Sequence, residues 1–176
     1  AGENQNSPER LVSIHRLSRS KRPEIGIRAL HHLPHEYTLD VYGRDVESGY
    51  YEEIKKVISE EKFEDRVHLQ GPVPMAELKT VYPRYRLMVN MAMETIDKTM
   101  LEGMLFGVYP VTTPGNSEAI GLPVYPRGET PEDIAEFIRK ESWKPFSRDY
   151  LTRIVKERHS LVALIRKMKQ YIEAGT

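Results

Sequence analysis

Cysteine is absent from the 176 residues, which excludes disulfide frameworks and thiolate metal sites and suits a cytoplasmic location. Charge of one sign is missing too: 26 lysines and arginines balance 26 aspartates and glutamates. With no net field, the chain is expected to partner neither nucleic acid nor an anionic surface, so any anion must be held by local groups. Long apolar runs are also lacking. A stretch such as "LMVNMAM" from Leu87 falls far below the roughly 18 to 20 residues of a membrane span, and no segment reads as a signal peptide.

What is present is an alternation of short apolar runs with amphipathic stretches, the pattern of repeated βα units on a parallel sheet. "LVSIH" (11–15), "TLDVY" (38–42), "RVHLQ" (66–70), "RLMVN" (86–90) and "YPVTT" (109–113) read as strands, with "LPVYP" from Leu122 a weaker sixth. Helical spacing follows in between. Tyr51, Ile54, Val57 and Ile58 form one stripe, Met75, Leu78, Val81 and Tyr82 another, and Met100, Leu101, Met104 and Leu105 a third that Gly107 stops. Thr130 and Pro131 open a further helix with Ile134, Phe137 and Ile138 inward, and Trp143 and Phe146 anchor the helix after it. Ser147 and Ser160 each precede a helix with no strand between them; the second carries a stripe of Leu161, Leu164, Ile165, Met168 and Ile172.

The fold class expected is therefore α/β: a Rossmann-like three-layer sandwich with a mainly parallel sheet of about six strands and helices on both faces. Three regions are expected: residues 1–10 as a flexible start or a leftover of cloning, 11–145 as the domain proper, and 146–176 as C-terminal helices packing on it or toward a domain not in this chain.

In an open parallel sheet, ligands bind beyond the carboxyl ends of the strands. The loops there read "RLSRSKR", "GRD", "GPVP", "METIDKT" and "PGNSE". Arg16 and Lys21 could both reach a diphosphate, although charge alone favours a solvated basic loop. Gly43, Gly71 and Gly115 follow strands directly and permit close approach of backbone to a ligand, though glycine at strand ends is also simply common. Glu94 and Glu102, if on one helix, would lie about 12 Å apart along its axis and about 80° apart around it, a poor geometry for joint chemistry. The fourth strand is instead expected to end near Met91 or Ala92, Glu94 to sit in a loop, and the helix to start near Lys98 or Thr99. The free amides at that start form an anion site, and Glu102, one turn in, could hold the vicinal hydroxyls of a ribose or be a plain surface glutamate. His31 and His35 in "HHLPH" are interrupted by Pro34 and have no completing carboxylate, so no metal site is expected. His15 could line the ligand site or be a structural histidine.

In this order and spacing, "HRLSRSK", "VYG", "RVHLQGPVPMAEL" and "ETIDKTMLEGMLFGVYPVTTPGNSEAIG" resemble the C-terminal, donor-binding half of the retaining GT-B glycosyltransferases of family 4. The resemblance covers about Leu11 to Lys140. It implies one half of a GT-B architecture that binds a nucleotide diphosphate sugar, such as a UDP- or GDP-sugar, and passes a hexosyl unit to an acceptor with retention and without a metal or other cofactor. It assigns Arg16 and Lys21 to the donor diphosphate, Glu94 to the transferred sugar and Glu102 to the ribose. Ile96, Asp97, Lys98 and Thr99 would hold sugar hydroxyls and phosphate through their amides, and Gly43, Arg44, Gly71, Pro72 and Val73 would flank the nucleoside. Glu118 would belong to the loop after the fifth strand.

The resemblance further implies that the chain is an excised domain, inactive without the N-terminal acceptor-binding domain of the same parent, and leaves membrane association of that parent open. His15 stands where the family usually has glycine, Arg22-Pro23 where glycine is frequent, and Asp97 where glycine is common, so an acid beside the sugar is expected to alter donor preference or weaken binding. The rival readings are a degenerate, non-catalytic glycosyltransferase-like module and half of a GT-B-type nucleotide-sugar epimerase.

Overall fold

A computed structural model describes residues 7–93, 96–160, 162, 163 and 165. Among them, five strands form one sheet: β1 (Arg10–Ile14), β2 (Thr38–Tyr42), β3 (Val67–Gly71), β4 (Leu87–Asn90) and β5 (Tyr109–Thr112). Their order is β3-β2-β1-β4-β5 and every pairing is parallel. Both β1 and β4 are flanked on either side, and their residues from Leu11 to Ile14 and Leu87 to Asn90 are buried, as strands covered on two faces must be.

Helices α1 (Pro23–Ala29), α2 (Tyr50–Glu60), α3 (Leu78–Val81) and α4 (Lys98–Leu105) fill the four crossovers, and α5 (Pro114–Ile120), α6 (Pro131–Lys140) and α7 (Arg148–Arg158) follow β5. α1 packs on α2 and α6, while α4 and α5 pack on α7, so both faces of the sheet are covered. Local signals explain the ends. Thr130 and Asp133 form a reciprocal capping box on α6, and Ser147 accepts from the Tyr150 amide at the start of α7. Leu151 and Ile154 carry α7 into the common core, which also holds the buried Trp143.

Three expectations are corrected. The weak sixth strand does not form: Pro123 and Pro126 lack the N–H groups a ladder needs, and the Val124 carbonyl accepts from the Tyr109 hydroxyl instead. The sheet therefore has five strands, with β5 and its Pro110 at an edge. The segment "PGNSE" after β5 is not a loop but lies in α5, capped by Thr113, so Gly115 and Glu118 are helical. Met75 is not on a buried stripe; it opens a short 3-10 turn and is 72% exposed. Of the stripe expected in the final helix, Leu161, Leu164, Met168 and Ile172 lie outside the described residues.

Candidate functional site

Because all strands run the same way, the loops after β1 to β5 open on one edge of the sheet. The order β3-β2-β1-β4-β5 reverses direction between β1 and β4, which is where such sheets hold ligands. Past their strand ends, the neighbouring chains stay zipped. The His15 amide donates to the Tyr42 carbonyl at 3.1 Å, Leu17 to Arg44 at 2.9 Å and Gly43 to Gly71 at 2.9 Å. Glycine at position 43 is required by this approach, since a Cβ there would lie 2.1 Å from the His15 oxygen.

A cavity of about 330 Å³ opens at this place. Ile14, His15 and Arg16 line it from the end of β1, and Tyr42, Gly43 and Arg44 from the end of β2. Pro72, Val73 and Met75, between β3 and α3, and Leu78, the first residue of α3, supply an apolar wall, and Thr99 reaches in from α4. The Thr99 hydroxyl donates to the Ile14 carbonyl at 2.7 Å, which clips the start of α4 to the end of β1. The structure thus gathers six of the residues expected from sequence, Arg16, Gly43, Arg44, Pro72, Val73 and Thr99, around one space, with Gly71 bonded directly behind Gly43. A larger cavity of about 420 Å³, between residues 123–127 and α6, contains none of them.

The cations of the first loop differ in state. Arg16 is exposed on the cavity, and its guanidinium has no partner among the described residues. Lys21 is buried, and its ammonium donates to the Asp97 carboxylate. Asp97 also accepts from the Asn90 amide at 2.9 Å, and the Asn90 oxygen accepts from the Ala92 amide at 3.1 Å. Asp97 is the residue before α4 but makes no cap hydrogen bond, so the helix's first amides are not closed off by it. Arg22, where glycine was expected, sits at φ 47°, ψ 50°, the left-handed region that favours glycine; its side chain bonds the Met91 carbonyl and Glu129.

α4 begins at Lys98 and carries Glu102 in its second turn, as the spacing predicts. Glu102 accepts from Tyr82 at 3.1 Å and pairs with Lys98 at 3.1 Å; it is not part of the cavity lining. Ile96 and Lys98 flank Asp97 at the same helix start, Lys98 with its side chain largely exposed. Glu94 lies outside the described residues. His15 is buried, and burial pushes its pKa down. Its Nδ1 meets the Arg16 carbonyl at 3.0 Å, while Nε2 is buried with no partner among the described residues. Sequence reasoning missed Asn90, Tyr42 and the exposed Met75; of these only Met75, directly after "GPVP", carried a local signal. His31 pairs with Glu61 at 2.7 Å, and among the described residues no group of three or more His, Asp or Glu is placed to hold a metal ion.

The sequence model of the family described as glycosyl transferases group 1 matches residues 2–124. The chain belongs to this family.

Solved structures with the same fold include HepE of Anabaena in complex with UDP and glucose, 20% identical with a TM-score of 0.77 over 93% of this chain and 48% of that one. The pneumococcal O-GlcNAc transferase GtfA, in complex with UDP and GlcNAc, is 19% identical with a TM-score of 0.72 over 96% of this chain and 36% of that one. Sucrose-phosphate synthase of Thermosynechococcus elongatus is 18% identical with a TM-score of 0.77 over 94% and 45%. This group 1 glycosyltransferase chain thus has the Rossmann-like fold of one half of the GT-B enzymes and spans half or less of those chains. A comparison with curated proteins gives no match. No helix among the described residues is long and apolar enough to cross a membrane.

Proposed function

We propose that this chain is the nucleotide-sugar donor domain of a retaining, metal-independent glycosyltransferase of family 4. One observation carries the reading: the cavity beyond the ends of β1, β2 and β3 joins an apolar wall of Val73, Met75 and Leu78 to Arg16, which has no partner among the described residues, and to the start of α4. A nucleobase and ribose fit the apolar side, and a diphosphate fits the guanidinium and the helix dipole. HepE and GtfA, each solved with UDP, support a uridine nucleotide as the first ligand to try.

In the reaction the bond from the anomeric carbon to the phosphate oxygen breaks, and its electron pair stays on the departing nucleoside diphosphate. Arg16 and the first amides of α4 receive that charge, joined by Lys21 where its ammonium turns from Asp97 to the phosphate, the electrostatic task that other glycosyltransferases give to a divalent ion. The acceptor hydroxyl passes its proton to the departing diphosphate oxygen and bonds the anomeric carbon on the face the leaving group vacates. Glu94 would attend the sugar and Glu102 the ribose, which requires Glu102 to exchange Lys98 or Tyr82 for ligand hydroxyls. The acceptor belongs to an N-terminal domain of the parent, so the chain alone should bind donor without transferring sugar.

Titration with UDP, GDP, ADP and their sugars tests this. One nucleotide family should bind saturably, and Arg16→Ala should weaken it by about tenfold to a hundredfold, the loss of one charged hydrogen bond. Glu102→Ala should weaken nucleotides more than inorganic diphosphate. The Asp97 carboxylate on Lys21 favours one rival, the degenerate module, and absence of saturable binding would support it.

A further inference from the structure

The site's buried cation is already engaged by an acid of the same chain. Lys21 and Asp97 lie 76 positions apart, and their side chains are only 7% and 17% exposed. The contact is a built one. Asp97 places one carboxylate oxygen on Lys21 and the other on the Asn90 amide, whose own oxygen is fixed by the Ala92 amide. Asn90 is therefore held with its donor toward Asp97 and cannot turn an acceptor there without losing the Ala92 bond. The pair sums to zero, which leaves the exposed Arg16 and Arg44 on the cavity and the α4 dipole, about half a charge, to meet an incoming diphosphate.

Such a site treats two related ligands differently. A free nucleoside diphosphate ends in a terminal phosphate with roughly one more negative charge near neutral pH than the same diphosphate esterified to a sugar. Asp97 precedes α4 directly, so a phosphate drawn to the first amides of that helix lies within about one helical turn, ~5 Å, of its carboxylate. Two anions that close repel, more strongly as water is displaced. A sugar brings hydroxyl donors, which a carboxylate accepts, and a terminal phosphate brings none.

Resting on the donor-domain reading, we propose that Asp97 is a specificity-determining residue that makes the site prefer the intact nucleotide sugar over the free nucleoside diphosphate. Glycine, common at this position in the resembling family, could not discriminate in this way. The consequence for turnover is that the leaving group, once free, is expelled by the carboxylate that tolerated it as an ester.

Calorimetric titration of the chain and of Asp97→Asn with matched pairs, UDP and UDP-glucose, GDP and GDP-mannose, ADP and ADP-glucose, decides the matter. In whichever pair binds, the unmodified chain should favour the sugar nucleotide. Asp97→Asn, which removes a nearby like charge and unpairs Lys21, should tighten the free diphosphate by about tenfold or more and by at least about threefold more than the sugar nucleotide, whose diphosphate carries one charge less. Asp97→Glu, which keeps the charge, should keep the original order. Asp97→Ser carries the same expectation as Asp97→Asn should the latter fail to fold. Equal shifts for both ligands, or none, overturn the proposal while leaving the donor-domain reading intact. Absence of binding in every pair and every variant overturns the donor-domain reading and this inference with it.

Discussion

At the residue scale, His15 shows how one side chain records its surroundings. A carbonyl can only accept, so the bond to Arg16 fixes the proton on Nδ1 and leaves Nε2 a buried acceptor with no partner among the described residues. Burial lowers its pKa, so the folded chain resists a proton that the unfolded chain takes up near pH 6.5. The unfolded state then binds more protons, and stability must rise with pH through this window and fall as pH drops below it. Urea melts at pH 7.5 and 5.5 should show a loss that His15→Asn lacks, with a slope of at most about 1.4 kcal/mol per pH unit. An unchanged difference in the variant would rule out this assignment. Neither the orphaned nitrogen nor the Lys21–Asp97 contact is readable from the neighbouring sequence, because each depends on segments brought together by the fold.

At the scale of elements, strand ends and the start of α4 were legible because apolar runs, glycines and caps act locally. The strand at 38–42 is found as read, and the others shift by one residue at one or both ends. What local pattern could not supply is the polar side of the sheet. Asp40 on β2 is buried, and burial pushes its pKa up, but bonds from Tyr85, Gln70, Arg10 and His68 outweigh this and hold the carboxyl below its ordinary range. Its folded pKa being depressed, the stability it contributes is present above pH about 3.8 and is lost as pH falls through the folded value. Asp40→Ala should lower stability by about 2–4 kcal/mol, since Tyr85 and Gln70 lose their common acceptor. A melt unchanged by the substitution would contradict this account of the network. Gly43→Ala should destabilise by about 1–3 kcal/mol, because the new Cβ meets the His15 carbonyl. It should also impair nucleotide binding, since β1 and β2 must part at the cavity. A variant as stable as the original would mean that the two strand ends are not so tightly joined.

At the scale of the whole molecule, the parallel sheet sets where the chemistry sits. A β3-β2-β1-β4-β5 order brings loops from distant parts of the chain to one edge, and a cavity forms there between the ends of β1, β2 and β3 and the start of α4. The position of that edge was readable from the alternation of elements, and six expected residues meet there. The apolar wall was less so, because Met75 fits a helical stripe equally well on paper and only the fold shows it exposed. The central claim is that this cavity, and not the larger one beside α6, receives a nucleotide. Amide chemical-shift mapping during titration with the nucleoside diphosphate that binds tests it most directly. The account predicts saturable shifts clustered at residues 14–16, 42–44, 71–78 and 98–99. Shifts confined to residues 123–127 and α6, or no saturable shift with any nucleotide, would contradict it.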